Sequence, residues 1–279
     1  MRLLLRLIAA LPLAFLHGLG SVLGWALYGI SPTYRRHLRD NLAVAGYGGD
    51  ARVRRAAIGA AGQMVLELPA IWFRPHEQVL SLVKEVEGAQ AALDARAGGK
   101  ALLLLTPHMG CFEVAAQYAA QHVPITVLYR PPKVSWLEPL MHAGRARAGL
   151  RLVPADLAGV REVFAALQRA EAVGFLPDQV PGEGEGEWTE FFGRAAYTVT
   201  LAARLAERDN VATFLAFARR LPRGRGYAIA LRAFPKPIAG ETPARHLNRA
   251  LEALVRECPE QYLWGYNRYK RPMGAPPAP

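Results

Sequence analysis

At 279 residues the chain has room for one domain plus a short appendage, and for a sizeable core. It is 52% hydrophobic with a mean hydropathy of +0.07, yet 34 Lys and Arg against 23 Asp and Glu leave a net charge of +11. Apolar and basic together, it suits an anionic membrane surface; nucleic acid, the other partner of a basic chain, is disfavoured because no zinc-finger spacing, RNP-like motif or basic zipper is present. Cys111 and Cys258 form neither a disulfide framework nor a metal-ligand spacing, so no metal is expected. The serines, Ser21, Ser31, Ser81 and Ser135, all lie outside any G-x-S-x-G, which excludes a nucleophile-elbow hydrolase, and no P-loop or dinucleotide fingerprint calls for a cofactor.

In chain order, the segment from Leu7 to Ile30 has only His17 and Ser21 as clearly polar side chains, enough apolar length to span a bilayer. Pro12, Gly18, Gly20 and Gly24 should kink or loosen it. Arg2 and Arg6 precede it and Arg35, Arg36, His37 and Arg39 follow, so charge on both flanks favours a helix lying in the interface, or a re-entrant hairpin, over a clean span. No small-x-small site follows the apolar core to mark a cleaved leader. Tyr34 to Ala45 and Arg52 to Phe73 read as helices, Leu82 to Glu87 as a strand and Ala89 to Ala97 as a helix. Strands at Ala101–Leu105, Ile125–Tyr129, Arg151–Val153 and Ala172–Leu176 then alternate with helices at Cys111–Gln121, Trp136–Ala148 and Leu157–Arg169. That alternation predicts an α/β fold with a mostly parallel central sheet flanked by helices. Pro181 to Glu187, rich in Gly and Glu, reads as a mobile loop. A helix at Thr198–Arg208 follows, then strands at Val211–Ala218 and Tyr227–Phe234 joined by a basic turn from Arg219 to Gly226. Thr242 caps a helix to Glu257. The expected organisation is a membrane anchor with basic flank (1–45), a catalytic domain (46–272) and a disordered tail (273–279).

The chemistry centres on Thr106-Pro107-His108-Met109-Gly110-Cys111-Phe112-Glu113, where an apolar strand ends, a histidine follows and a helix opens. Strand-to-helix junctions are where α/β sheets place their ligand sites. His108 with Glu113 in the first helical turn makes a base with a carboxylate able to orient it. The spacing alone decides little: roughly 0.6 matches to a His with an acid five residues on arise by chance in this composition. On the residues alone, His108 is either a catalytic base or a helix-capping histidine. Cys111 reads as a small buried hydrophobe and not as a nucleophile.

Further segments match in order. His108 to Glu113 resembles the H-x4-[DE] signature of the lysophospholipid acyltransferase superfamily, in the Glu version of its late lipid A acyltransferase branch. Tyr129-Arg130-Pro131 resembles a YRP element, Gly144-Arg145 a GR element, Pro177-Asp178-Gln179 a PD(Q/H) element, Phe191-Phe192-Gly193 an FFG element, and Trp264 to Pro272 a terminal aromatic-basic segment. The resemblance covers nearly the whole chain. It implies a glycerol-3-phosphate acyltransferase-like fold with an N-terminal membrane-anchoring helix, at the cytoplasmic face of a bacterial inner membrane. It implies transfer of a fatty acyl chain from an acyl carrier protein thioester, or acyl-CoA, to a hydroxyl of a lipid A precursor, with no cofactor beyond that co-substrate and with anionic lipids and acyl carrier protein as partners.

On this resemblance His108 removes the hydroxyl proton and Glu113 orients it. Helix-start N–H groups or Arg145 receive the oxyanion. Arg145 and Asp178 pair and position substrate, Arg130 and Lys133 bind phosphate, Gln179 is a further substrate-binding residue, and Trp264, Asn267 and Arg268 line the acceptor side or pack the domain's end at the membrane; Phe191 and Phe192 are core or acyl-tunnel wall. Another lipid acceptor (a lysophospholipid, glycolipid or ornithine lipid), an acyl thioesterase and a non-catalytic membrane scaffold are the competing readings.

Overall fold

Ala101–Leu105 forms strand β2, with all five residues buried. An unbroken apolar run is what a strand covered on both faces requires. In the computed structural model, which describes every residue except Met1, Lys133, Ser135, Arg147 and Ala148 and the side chain of Arg2, β2 is the middle strand of a seven-stranded sheet. The others are β1 (Val83–Glu87), β3 (Ile125–Tyr129), β4 (Leu150–Pro154), β5 (Ala172–Phe175), β8 (Val211–Arg220) and β9 (Tyr227–Ala233), in the order β1-β9-β8-β2-β5-β3-β4. From β8 to β4 all neighbours are parallel; β9 runs antiparallel to β8, and β1 runs parallel to β9.

Side chains alternate across the sheet. Leu103 and Leu105 join the core formed with α10 (Leu157–Gln168), α11 (Thr200–Ala206) and α12 (Pro243–Glu257). Leu102 and Leu104 face α7 (Ala89–Ala97) and the region of α8 (Phe112–Ala119). α12 starts as its sequence dictates, with the Thr242 side chain accepting the Arg245 N–H and Pro243 in the first turn.

The apolar N-terminus is two helices, α1 (Arg2–Ala10) and α2 (Leu13–Ile30), broken at Leu11-Pro12. α3 (Pro32–Val44), α4 (Ala51–Leu66), α5 (Leu68–Phe73) and α6 (His76–Leu80) follow. The glycines of α2 do not loosen it; they let α2 press against α4. A Cβ on Gly24 would stand 2.1 Å from the Ile58 carbonyl oxygen, and one on Gly62 only 1.9 Å from that of Gly20. Gln63 also donates to Ser21 Oγ at 2.9 Å across the crossing. At the break, Arg74 donates to the carbonyls of Ala9 (2.7 Å) and Leu11 (2.5 Å). The opposite side of α2 is apolar and open: Phe15, Leu19, Val22, Leu23, Trp25, Leu27 and Ile30 are exposed. Gly62→Ala will therefore destabilise the fold by about 1–3 kcal/mol through overpacking. Gly18→Ala, into open space on the same helix pair, will stabilise it by about 0.5–1 kcal/mol. Thermal midpoints of the two variants check the contrast.

Two sequence expectations change here. Between the loop expected at Pro181 to Glu187 and the helix expected from Thr198, the chain is not irregular: Gly186–Phe191 (β6) and Arg194–Val199 (β7) form an antiparallel hairpin. Phe192 (φ 51°) and Gly193 (φ 75°) are its two turn residues, both in the left-handed region that such hairpins require. Phe192 is held there by its N–H donating to Glu252 (2.9 Å) and by the Arg256 guanidinium 4.7 Å above its ring. Phe191 and Phe192 are thus core residues. In the C-terminal segment expected to be a free tail, Ala275 is buried and the Pro276 carbonyl accepts the Trp188 indole N–H at 2.8 Å.

Candidate active site

β2 and β5 are adjacent and parallel, with Leu105 opposite Phe175. The Thr106 N–H donates to the Phe175 carbonyl at 2.8 Å, carrying the pairing one step further. Three residues beyond that register stand His108 on one strand and Asp178 on the other. They meet twice: His108 Nδ1 lies 2.8 Å from Asp178 Oδ1, and the His108 backbone N–H donates to Oδ2 at 3.0 Å. Asp178 is buried. Burial alone would push its carboxyl up; the His108 ring and the hydrogen bonds from His108 ring and backbone outweigh that and hold it below its usual range. His108 Nε2, the other ring nitrogen, lies 3.2 Å from Gln179 Nε2, and the Phe112 ring meets the imidazole edge-on at 5.0 Å.

Glu113 does not orient His108. Gly110, at φ +58°, turns the chain away before α8 begins; a Cβ there would sit 2.0 Å from the Ala218 carbonyl oxygen. Glu113 in the first turn of α8 then faces Arg145 at the end of α9 (Leu137–Arg145). Arg145 Nε reaches both Glu113 oxygens (2.8 and 3.1 Å) and Nη2 closes the fork. Burial would lower the Arg145 pKa, but Glu113 outweighs it and the net direction is up, so the guanidinium stays charged. Gly144 lets α9 approach α5, since a Cβ there would be 2.4 Å from the Trp72 side chain. The expected Arg145–Asp178 pair is therefore replaced by two pairs, His108–Asp178 and Glu113–Arg145.

A cavity of about 690 Å³ opens beside these pairs, at the carboxyl ends of β3, β4 and β5. His108, Glu113, Arg145 and Gln179 lie in its wall, with Arg130 at its rim in an ion pair with Glu185 (2.5 Å). The remaining wall is largely apolar: Phe112, Ala116, Val127, Met141, Leu150, Leu152, Leu157, Val160 and Leu201. A smaller apolar cavity of about 130 Å³ shares Phe112, Ala116, Val127, Phe175 and Leu176 with it and continues beneath the sheet toward Leu93 and Tyr118.

Some expected participants are elsewhere. Arg268 is buried behind the hairpin, donating to the Tyr197 carbonyl (2.7 Å) and Thr198 Oγ1 (2.8 Å), and neither it nor Asn267 lines the cavity. The terminal segment instead braces the loop after β2: the Leu263 N–H meets the His108 carbonyl and the Gly110 N–H meets that of Gln261, both at 3.0 Å. The N–H groups of Met109, Gly110 and Cys111, in the loop before α8, donate to Pro107, Gln261 and Ala218 carbonyls, so these amides face the protein and not an oxyanion. Lys133 lies outside the described residues. Cys111 is buried, its thiol pushed well up by burial, and it is not part of the cavity wall. Cys111→Ala will retain activity within about twofold, checked by initial rates, because a buried high-pKa thiol supplies no thiolate.

Sequence reasoning misses a buried cluster behind the loop, made of His17, Glu67, Arg220 and Tyr227. In sequence Arg220 belongs to a basic turn, but it is the last residue of β8 and is buried. The available signal was an acid, Glu67, within an otherwise apolar helical stretch.

The chain matches the family model described as bacterial lipid A biosynthesis acyltransferase over residues 2–271. It belongs to that family. It is 27% identical over 225 residues to the lipid A biosynthesis lauroyltransferase of Escherichia coli K12, covering 78% of this chain and 72% of that protein. It is 25% identical over 232 residues to the palmitoleoyltransferase of the same organism, covering 76% and 70%. A lipid A biosynthesis acyltransferase of Haemophilus influenzae is 26% identical over 185 residues, 64% of this chain and 57% of that one. The chain is accordingly an acyltransferase of lipid A biosynthesis by family.

Proposed function

We propose that the chain moves a fatty acyl group from an acyl carrier protein thioester, or acyl-CoA, to a hydroxyl of a lipid A precursor, with His108 as general base and Asp178 as its orienter. The observation that carries this reading is an imidazole held by a buried carboxylate, its second nitrogen directed at Gln179 in the wall of a large apolar cavity. An apolar wall of this size suits hydrocarbon, and the polar groups beside His108 suit the reacting ester group.

In the proposed step the acceptor hydroxyl takes the place Gln179 holds at Nε2. Nε2 accepts its proton as the oxygen attacks the thioester carbonyl, and Asp178 stabilises the imidazolium that forms. The C–O bond forms, the tetrahedral intermediate collapses, the C–S bond breaks and the thiolate leaves. Arg145, locked by Glu113 in the same wall, is the charged group available to the oxyanion. Arg130 can exchange Glu185 for a phosphate of donor or acceptor.

A membrane seat fits the surface. The exposed apolar side of α2 is joined by exposed Leu3, Leu4 and Leu7 in α1, and Arg36 and Arg39 of α3 are also exposed. α1 packs on α5 and α5 on α9, which leads to the cavity, where Leu157 in the wall and Trp136 before α9 are exposed. Such a basic and apolar surface would hold the enzyme on anionic lipid at the cytoplasmic face of the inner membrane and draw an acidic carrier protein. Lipid mass spectrometry of a strain lacking the gene tests the reading: loss of one acyl chain from lipid A is expected, and unchanged lipid A overturns the acceptor. Acyl release in vitro at the same rate with and without acceptor would point to a thioesterase instead.

A further inference from the structure

The loop from His108 to Cys111 is tied by backbone partners at the His108 carbonyl and at the N–H groups of Gly110 and Cys111. The Gly110 carbonyl is different: it accepts Nη2 of Arg220 at 2.7 Å. Arg220 Nε lies 2.9 and 3.1 Å from the two Glu67 oxygens, and Nη2 reaches one of them at 2.5 Å. Its own backbone N–H is bonded to Gln261 Oε1 at 2.8 Å, and Gln261 also supplies the carbonyl that receives the Gly110 N–H. Glu67, 1% exposed, accepts two further bonds at 3.0 Å, from the Tyr227 hydroxyl and from His17 Nε2. His17 sits on α2, whose far side is the exposed apolar stripe. Hydrogen bonds therefore run without a gap from the N-terminal helix to the carbonyl two residues past His108, and none of His17, Glu67 or Arg220 lines the cavity.

A buried ion pair is a poor source of net stability, because desolvation offsets its attraction. A cluster of this kind is better explained by what it holds in place. Arginine suits that role, since its fork grips a carboxylate while Nη2 also reaches a carbonyl, which a lysine ammonium cannot do in the same geometry.

We propose that Arg220 is a positioning residue for His108, and that Glu67 and His17 tie its hold on the Gly110 carbonyl to the seat of the N-terminal helix. The proposal rests on the acyl-transfer reading above.

The test uses the full-length protein in mixed lipid–detergent micelles, with dodecanoyl-CoA as donor and a lipid A precursor as acceptor. The Glu67→Gln/Arg220→Met double variant strands no buried charge, and the introduced glutamine still offers an oxygen to Tyr227 and His17. The expected result is a folded protein whose kcat falls about 10- to 100-fold, the cost of a misplaced base, with donor KM within about twofold. Amide hydrogen exchange at residues 109–111 should speed up, a readout independent of activity. His17→Ala alone should lower kcat about 3- to 10-fold, and adding it to the double variant should lower kcat no further, because groups acting through one network are not additive. A folded double variant with wild-type kcat and wild-type exchange overturns the positioning role; an additive His17→Ala effect overturns the tie to the N-terminal helix. Should the double variant not fold, Arg220→Lys carries the test, and wild-type kcat in that variant likewise overturns the proposal. Transfer retained by a His108→Ala control would overturn His108 as the base, and no transfer by the wild-type protein would overturn the acyl-transfer reading; in either case the exchange data would still decide whether Arg220 fixes the loop.

Discussion

An Asp178→Asn enzyme will fold and bind its donor, but transfer acyl groups about 10³-fold more slowly, because its histidine will hold the wrong tautomer. The carboxylate receives two donors, the His108 backbone N–H on Oδ2 and ring Nδ1 on Oδ1. A backbone N–H only donates, so the single amide oxygen of Asn must turn toward it. The amide NH₂ then faces Nδ1, which has to become the acceptor, and the ring proton moves to Nε2. The nitrogen that takes the hydroxyl proton in the proposed step is then already protonated. Single-turnover transfer with saturating donor reads the loss. Glu113→Gln behaves differently: it leaves the tautomer alone and strips the half-buried Arg145 of its counter-charge, so its loss of activity will come with a drop of about 1–3 kcal/mol in stability. Comparing thermal midpoints of the two variants separates an orienter of the base from an orienter of Arg145.

On the proposed mechanism the largest single loss is expected at His108 itself, about 10⁴-fold in kcat, the upper end for removal of a general base. Asparagine is the informative replacement. Its side-chain NH₂ can donate to Asp178 Oδ1 in place of ring Nδ1. Alanine offers no donor there, and burial would then push the Asp178 carboxyl up. His108→Asn should therefore keep the wild-type thermal midpoint while losing activity, whereas His108→Ala loses some of both. His108→Asn/Asp178→Asn should be no slower than His108→Asn alone, since the pair acts as a unit. A double variant slower than the single by the full Asp178 factor would show that Asp178 acts on the reaction by another route.

Much of the fold is legible in the sequence because its signals are local. The apolar run of β2, the alternation of strands and helices, and the Thr242-Pro243 helix start each depend on a few adjacent residues. The hairpin at Gly186–Val199 is not, because its left-handed turn at Phe192 is held by a contact with Glu252, sixty residues away. The site shows the same division. His108 stands out from its strand end. Nearness in sequence makes Glu113 its expected partner, while the partner in the structure depends on which strands are neighbours. Once β2 and β5 are side by side, Leu105 opposite Phe175 brings His108 to Asp178 by register alone. No periodicity announces that adjacency, and none announces that Arg220 turns inward at the end of β8. The two basic residues assigned to substrate from the terminal segment and the GR element had opposite fates for a similar reason. Arg145 reaches the cavity from a helix end, whereas Arg268 is enclosed by Tyr197, Thr198 and Asn248.

The glycine crossing of α2 and α4 bears on how high above a bilayer the chemistry can take place. A helix joined by a slack linker would let the domain tumble and meet hydroxyls at any depth. Here backbone lies against backbone, with Gly24 on Ile58 and Gly62 on Gly20, so the two helices move as one piece. On the proposed membrane seat, the mouth of the cavity is then fixed in elevation and tilt relative to the lipid headgroups. Only a hydroxyl carried at the matching distance from the bilayer plane meets His108. Discrimination among the several hydroxyls of one lipid would thus begin with altimetry, before any contact inside the cavity.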